Sequence, residues 1–291
     1  MVWEMKIGSE EHKQFLCQWF QESHKLYEPE QLPWPQLDDV TADRLRSVPF
    51  WDEALLTERK AGKMLDAFAA TVDDPLLRDA IALQGREEAR HGRMIEYLID
   101  RYQVELPDRG ERGLPASLEP AFVKFGYGEC FDSFFAFGLF EIARQAGLMP
   151  TVFFTIFDPI LEEEARHMVF FINWIAYQQV QAGRGWLRPF NSLWQYGGAL
   201  QRRLDSLRGM PSKKKKESSK KGFTATGAKA FTLNLSLEKF LEVCLAENAK
   251  RMSQYDDRLL RPEFLPILTG VALQTLRVLP VKKASPVAGG A

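Results

Sequence analysis

Cysteine and histidine are both scarce in this chain. Its three cysteines, Cys17, Cys130 and Cys244, stand far apart among 291 residues and form no Cys-x-x-Cys pair. That spacing argues against a zinc ribbon, a rubredoxin-type iron centre or a disulfide framework, and favours a reducing, cytoplasmic setting. An excess of charge of one sign is also lacking: 38 Lys and Arg face 39 Asp and Glu, for a net charge of −1. No global field therefore draws the chain to nucleic acid or to an anionic membrane. No stretch of about 18 uncharged apolar residues suggests a spanning helix, and Met1–Lys6 lacks the apolar run of a signal peptide. A flavin or dinucleotide fingerprint and an iron–sulfur cysteine set are missing too. What the chain does have is 45% hydrophobic residues, ample for one large core or two small ones.

Two of the four histidines fall in a repeat, Glu88-Ala89-Arg90-His91 and Glu164-Ala165-Arg166-His167. Residues three apart share one face of a helix, so each Glu-x-x-His presents a carboxylate and an imidazole to the same point. Both pairs lie on apolar stripes with helical steps: Leu77, Ile81, Gln84, Glu88, His91, Ile95 and Leu98, then Ile160, Glu164, His167, Phe171, Trp174 and Gln178. Acid and imidazole thus occupy the inward seam of a bundle helix. Two further stripes carry one acid each, Glu58 between Leu55 and Leu65, and Glu141 after Phe134 and Phe137. A lone buried carboxylate costs several kcal/mol or takes up a proton. Four on facing seams need positive charge, which two divalent metal ions would supply.

The predicted organisation is all-α. Residues 1–49 hold a short amphipathic helix at 9–26 and a Pro-rich connector at 32–37. A four-helix bundle spans 50–182, with helices at about 50–71, 75–103, 127–147 and one ending near 182, and with a long Pro- and Gly-containing connection at 104–126. Residues 183–283 add helices at about 190–208, 236–260 and 263–278 around a Lys-rich loop at 211–222, and 284–291 is expected to be a disordered tail. Glu58 and Glu88 are each about 14 residues from Asp73-Asp74, or roughly 21 Å along their helices, so they lie level in a hairpin. Glu141 and Glu164 do not. An uninterrupted fourth helix would leave them out of register by roughly 10 Å. Asp158-Pro159 offers a helix start just before Glu164, and a break is predicted there, with 151–157 as a separate apolar segment.

With this pattern in place, residues 50–182 resemble the ferritin-like di-iron carboxylate superfamily. Its order of Glu, Glu-x-x-His, Glu, Glu-x-x-His maps onto Glu58, Glu88 with His91, Glu141, and Glu164 with His167. The resemblance covers under half of the chain. It implies a ferritin-like four-helix bundle with additional terminal helices, and a pair of iron ions, with manganese or a mixed manganese–iron pair as alternatives. It also implies an oxidase or oxygenase that uses O2 on a small, apolar organic substrate. Glu58 and Glu141 would be terminal ligands, and Glu88 and Glu164 would bridge. Oxygen and nitrogen donors without thiolate suit iron or manganese better than zinc or copper. An oxygenase of this kind would take electrons from an external donor. Ferroxidase or iron storage, and a non-catalytic metal-binding scaffold, are the competing readings.

Other residues receive plainer expectations. Glu87, Glu162 and Glu163 fall off the stripes and are expected at the surface. Arg90 and Arg166 are expected in salt bridges, and His12 and His24 in surface or packing positions. Ten phenylalanines between Phe131 and Phe171 either line a pocket for an apolar molecule or fill a large core. Tyr97, Tyr102 and Tyr177 are candidates for a radical site with little to choose among them. The lysine run Lys213–Lys216 with Lys220 and Lys221 has no aromatic residues to stack on bases, which argues against nucleic acid. A homodimer is compatible with all of this.

Overall fold

A computed structural model describes residues 5–107, 110, 113–208 and 236–278 of the chain. Among them every regular element is helical, with no strand. In chain order the helices are α1 (Glu10–Glu22), α2 (Asp39–Arg46), α3 (Trp51–Ala69), α4 (Pro75–Tyr102), α5 (Leu118–Gln145), α6 (Thr151–Gln181), α7 (Arg188–Arg208), α8 (Leu237–Met252) and α9 (Phe264–Val278). Among the described residues no helix is long and apolar enough to cross a membrane. The Lys-rich loop and the tail at 284–291 lie outside the described residues.

The long helices begin where the local chemistry allows it. Asp74 caps α4 by accepting from the amides of Leu76 and Leu77, and Pro75 sits at the first turn, where its missing N–H costs nothing. Lys13 of α1 reaches the same Asp74 carboxylate. The start of α5 lies about a turn and a half before the predicted one plus a further turn: Ser117 precedes it, Pro120 occupies its first turn, and Phe122 is already fully buried. Helix α2 was not anticipated, because eight residues with two buried side chains, Ala42 and Leu45, leave little periodic signal.

The predicted break in α6 is not there. Helix runs from Thr151 to Gln181 with Pro159 inside it. A proline removes one backbone donor and crowds the preceding turn, but Phe153, Phe154, Ile156 and Phe157 before it and Leu161 after it are all buried. Their burial holds the segment in one helix despite that local cost.

Helices α3 and α4 pair closely along small residues. A Cβ on Gly62 would stand 3.1 Å from the Ala89 nitrogen and the Gly85 oxygen. Helix α5 gives up side chains in the same way, since a Cβ on Gly126 would meet the Phe171 ring at 2.2 Å and one on Gly138 would meet the Cys244 sulfur at 2.3 Å. The first contact seats α6 and the second seats α8. Helix α1 lies across α4 and α6. Asn173 ties it there: its side-chain oxygen accepts from His12 Nε2 and from the Leu260 amide, each at 2.9 Å, while its amide donates to the Val169 and Leu260 carbonyls. The Gly8 amide donates to His12 Nδ1, which leaves the proton on Nε2.

Two apolar layers result. One holds Phe20, Leu65, Phe68, Ile81, Phe122, Phe171 and Trp174, and the other holds Trp34, Leu55, Met94, Leu98, Phe153 and Phe157. Glu58, Glu88, His91, Glu164 and His167 come from the sequence between these contributions on α3, α4 and α6. The phenylalanines of α5 and α6 are core residues in this packing. Phe134, Phe137, Phe170 and Phe171 are fully buried, and Phe131 and Phe134 pack with Cys244 and Leu265 under α8 and α9.

Candidate metal centre

Four helices bring carboxylates and imidazoles together at mid-bundle. Glu58 of α3 joins Glu88 and His91 of α4 and Glu164 of α6 in one set. Glu88 and Glu164 also belong to a second set, with Glu129 of α5 and His167 of α6. Within each set the ligand atoms lie within 4.8 Å of one another, and the two imidazole rings are 5.8 Å apart. Either set could hold a metal ion.

Five of the six residues expected from sequence therefore meet: Glu58, Glu88, His91, Glu164 and His167. Glu141 does not join them. It accepts from Gln145 on its own helix at 2.8 Å and lies 3.5 Å from Arg144. Its place is taken by Glu129, more than three turns earlier on α5. The continuous α6 explains the exchange. In an unbroken hairpin, level residues are equally far from the turn, and Glu129 and Glu164 lie the same number of residues on either side of Ala146-Gly147. The register that required a break for Glu141 requires none for Glu129.

The site has a reciprocal outer layer. His91 Nε2 donates to Glu163 Oε2 at 2.9 Å, and His167 Nε2 donates to Glu87 Oε2 at 2.8 Å. Each histidine is thus held by a carboxylate from the other helix. Each carboxylate also binds the arginine that precedes its histidine: Glu163 pairs with Arg90, and Glu87 pairs with Arg166 at 3.1 Å. Tyr27 donates to Glu163 at 2.8 Å, and His24 lies 2.5 Å from Glu87. Ser133 donates to Glu164 and Gln84 to Glu129. Glu87 and Glu163 are almost wholly buried, not at the surface as their off-stripe positions suggested. The clue was in the repeat itself, which is five residues long: Glu87-Glu88-Ala89-Arg90-His91 and Glu163-Glu164-Ala165-Arg166-His167.

The polar atoms left over face inward. His91 Nδ1 and Glu88 Oε1 are buried without a hydrogen bond. The first lies 3.3 Å from Glu164 and 3.8 Å from Glu58, and the second lies 3.1 Å from His167 Nδ1, but these approaches lack hydrogen-bond alignment. Buried polar atoms are rarely left so. With Nε2 given to a carboxylate, Nδ1 is the atom each imidazole turns to the cluster: that of His91 has no hydrogen-bond partner, and that of His167 lies 3.0 Å from Glu129 Oε1, so loss of the Nδ1 proton would open both to a cation, as in carboxylate–histidine–metal arrangements. A third cluster, His24, Glu87 and Glu163, has metal-like spacing as well, but its carboxylates are already committed to two arginines and two histidines.

Protonation shows how much positive charge this centre takes up. Burial opposes an imidazolium, yet contacts with Glu163, Glu164 and Glu58 outweigh it and hold His91 well above the ordinary imidazole pKa. Glu129, Glu87 and Glu88 do the same for His167. Burial, and after it repulsion from neighbouring carboxylates, outweighs the pull of His167 and pushes Glu88 well up and Glu129 to about 8. Glu87 and Glu163 go the other way, since their histidine and arginine partners overcome burial and hold them below the ordinary carboxylate value. With six carboxylates ionised and both imidazoles neutral, Arg90 and Arg166 would cancel two of six negative charges. Two divalent cations would cancel the remaining four.

Comparisons with family models, with curated proteins and with solved structures find no match to this chain. The case for the centre is therefore carried by its geometry.

Proposed function

We propose that this protein is a di-metal carboxylate oxidoreductase of ferritin-like arrangement that uses O2 to oxidise a small, apolar organic molecule. The observation that carries the reading is the pair of overlapping ligand sets, with Glu88 and Glu164 common to both and each imidazole turned inward by a buried carboxylate. Carboxylate and imidazole donors without thiolate fit iron, or manganese in one or both positions. In this reading Glu88 and Glu164, common to both sets, would hold both ions, with Glu58 and His91 completing one set and Glu129 and His167 the other. A reduced metal pair would supply the electrons for O2 reduction, and an external donor would restore them between turnovers.

The protein's own groups have distinct tasks. Glu163 and Glu87 fix the imidazole tautomer and ring orientation, and they offset the charge of Arg90 and Arg166 where water cannot. The two apolar layers above and below the cluster keep bulk water from it, which strengthens every charge interaction within. Glu58 is the most open of the carboxylates, with its side chain 22% exposed, so the α3 side is the route by which ions and small molecules reach the centre. The same exposure favours a second reading, ferroxidase activity, in which a carboxylate at the entrance gives incoming Fe(II) its first ligand.

One experiment separates these readings. The metal-free protein is loaded anaerobically with Fe(II), the bound metal is counted, and O2 uptake is followed with excess Fe(II) or with a reductant and a panel of apolar organic compounds. Two ions per chain and compound-dependent O2 uptake are expected. Uptake that tracks added Fe(II) alone would replace this reading with ferroxidase, bound metal without O2 uptake would leave a scaffold, and no bound metal would sink the assignment.

A further inference from the structure

Away from the centre, α7 presents an apolar face to solvent. Phe190, Leu193 and Trp194 lie on one side at helical spacing, and Trp186 precedes them in the short turn at Gly185–Leu187. Trp194 is 82% exposed, Trp186 73% and Phe190 67%. Gly197 continues the same side, where an added Cβ would meet nothing within 4 Å. The opposite side seats the helix: Tyr196 and Ala199 are buried, and the Ser192 hydroxyl is 3.3 Å from that of Tyr127.

A second stripe starts where the first helix is anchored. Tyr196 stacks on Phe264 of α9 at 4.5 Å. Phe264, Ile267, Leu268 and Val271 share one side of α9, and beyond Phe264 they are exposed. Scattered apolar residues at a surface need no explanation, but a tryptophan, a phenylalanine and a leucine on one helix side, with a second tryptophan in the turn before it, do.

Charge supplies the other half. Residues 184–221 contain eleven Arg and Lys against two acids, Asp205 and Glu217. This stretch carries nine positive charges, so the rest of the chain, whose total with it is −1, carries ten negative ones. Arg184, Arg188, Arg202, Arg203 and Arg208 belong to α7 or its entry. The lysines follow it in sequence, outside the described residues. A helix with Trp, Phe and Leu on one side and cations nearby is suited to the boundary of a lipid bilayer, where indole rings sit at headgroup depth. Each cation near an anionic leaflet adds to the attraction, and salt weakens it. A second copy of this chain is a poor occupant, since a self-complementary contact would bring two strongly positive stretches together.

We propose that the outer face of α7 docks the protein onto an anionic phospholipid surface. The test is co-sedimentation of the full chain with vesicles of phosphatidylcholine alone and of phosphatidylcholine mixed with phosphatidylserine, at low and high salt. Binding to the mixed vesicles, weakened by salt and accompanied by a blue shift of tryptophan emission, is expected. The double variant Phe190→Ser/Trp194→Ser should bind at least about tenfold more weakly, with unchanged helix content and metal binding, because both side chains point to solvent. Failure to sediment with either vesicle would overturn the proposal. So would binding that the double variant leaves intact, since charge alone would then suffice. A dimer in size-exclusion chromatography that the variant dissociates, with no vesicle binding, would assign this face to a second copy instead.

Discussion

The two halves of the metal centre share a plan and differ in their surroundings. In one half His91 leans on Glu163, which Arg90 and Tyr27 also hold; in the other His167 leans on Glu87, held by Arg166 and His24. The terminal acids are not alike. Glu58 keeps 22% of its side chain in contact with solvent and Glu129 only 5%, and burial pushes the Glu129 carboxyl up to about 8. The shared plan is what a pair of cations would need, and the difference is one of access: the Glu129 half is closed, and the Glu58 half is the one that meets solvent.

The largest expected effect comes from the residues that both halves use. Glu88→Ala or Glu164→Ala should lower metal affinity more than about 100-fold at both positions, a lower bound set by the 10–100-fold typical of losing a supporting group. His91→Ala and His167→Ala should each empty one position, so that elemental analysis reads about two, one and zero ions per chain across the series. Equal losses in all four variants would mean that the halves are not separate sites.

The supporting carboxylates come next. Glu87→Gln and Glu163→Gln should each weaken metal binding about 10–100-fold. Each also strands a buried arginine, at a cost of about 3 kcal/mol in thermal or denaturant unfolding. A loss confined to one of the two would break the reciprocity of the halves.

Acidity distinguishes metal-free from loaded protein. Glu87 and Glu163, held below their ordinary value of 4.5, favour the fold above that pH and lose this contribution as pH falls through their folded values. The imidazoles and Glu129 act in the opposite sense. His91 and His167, raised above 6.5, favour the fold below that pH and lose this as pH rises through their folded values. Glu129 binds a proton in the folded chain up to about 8 and in the unfolded chain only up to about 4.5. The Tm of the metal-free protein should therefore fall between about pH 6 and pH 8. Metal must displace those protons, so the rise in Tm on adding Mn(II) should be larger at pH 8 than at pH 6. An equal rise at both would argue that the cation does not meet these groups.

The smallest effect tests the reading of α5. Glu141→Gln should leave metal content unchanged and shift stability by no more than about 0.5 kcal/mol, as a substitution outside the core does, while Glu129→Gln should empty the His167 side.

That last pair shows where sequence reading stops. Helix order, the inward stripes and the two Glu-x-x-His pairs were legible because each is a local pattern of period 3.6, and the hairpin register of Glu58 and Glu88 follows from counting. Glu141 was chosen because it followed Phe134 and Phe137 on a helical stripe, whereas Glu129 lies in a stretch apolar on nearly all sides, where periodicity singles out no face. Pro159 then seemed to supply the break that Glu141 required. Whether a proline breaks a helix depends on how much apolar surface the continuous helix buries, a tertiary quantity. Glu87 and Glu163 were misplaced for a related reason: a helix covered by α1 as well as by its bundle partners buries more of its circumference at that level than a two-sided stripe predicts. Ser23 and the Phe20 carbonyl both receive Arg166, a contact between residues far apart in sequence that no window of the chain contains.

The crossed support of the two histidines has the pattern of an internal two-fold axis. Shifting the numbering by 76 turns Glu87 into Glu163 and His91 into His167, and the contact of Glu87 with His167 into that of Glu163 with His91. A relation in which one element's acid serves the other's imidazole, and the reverse, is what a two-fold axis produces between identical partners. Helices α4 and α6 follow that shift at Glu87, Glu88, Arg90 and His91, whereas Glu58 and Glu129 do not, since Glu58 would map onto Phe134. The two-fold relation therefore governs how the imidazoles are held and stops short of the terminal acids, where the open Glu58 faces the sealed Glu129.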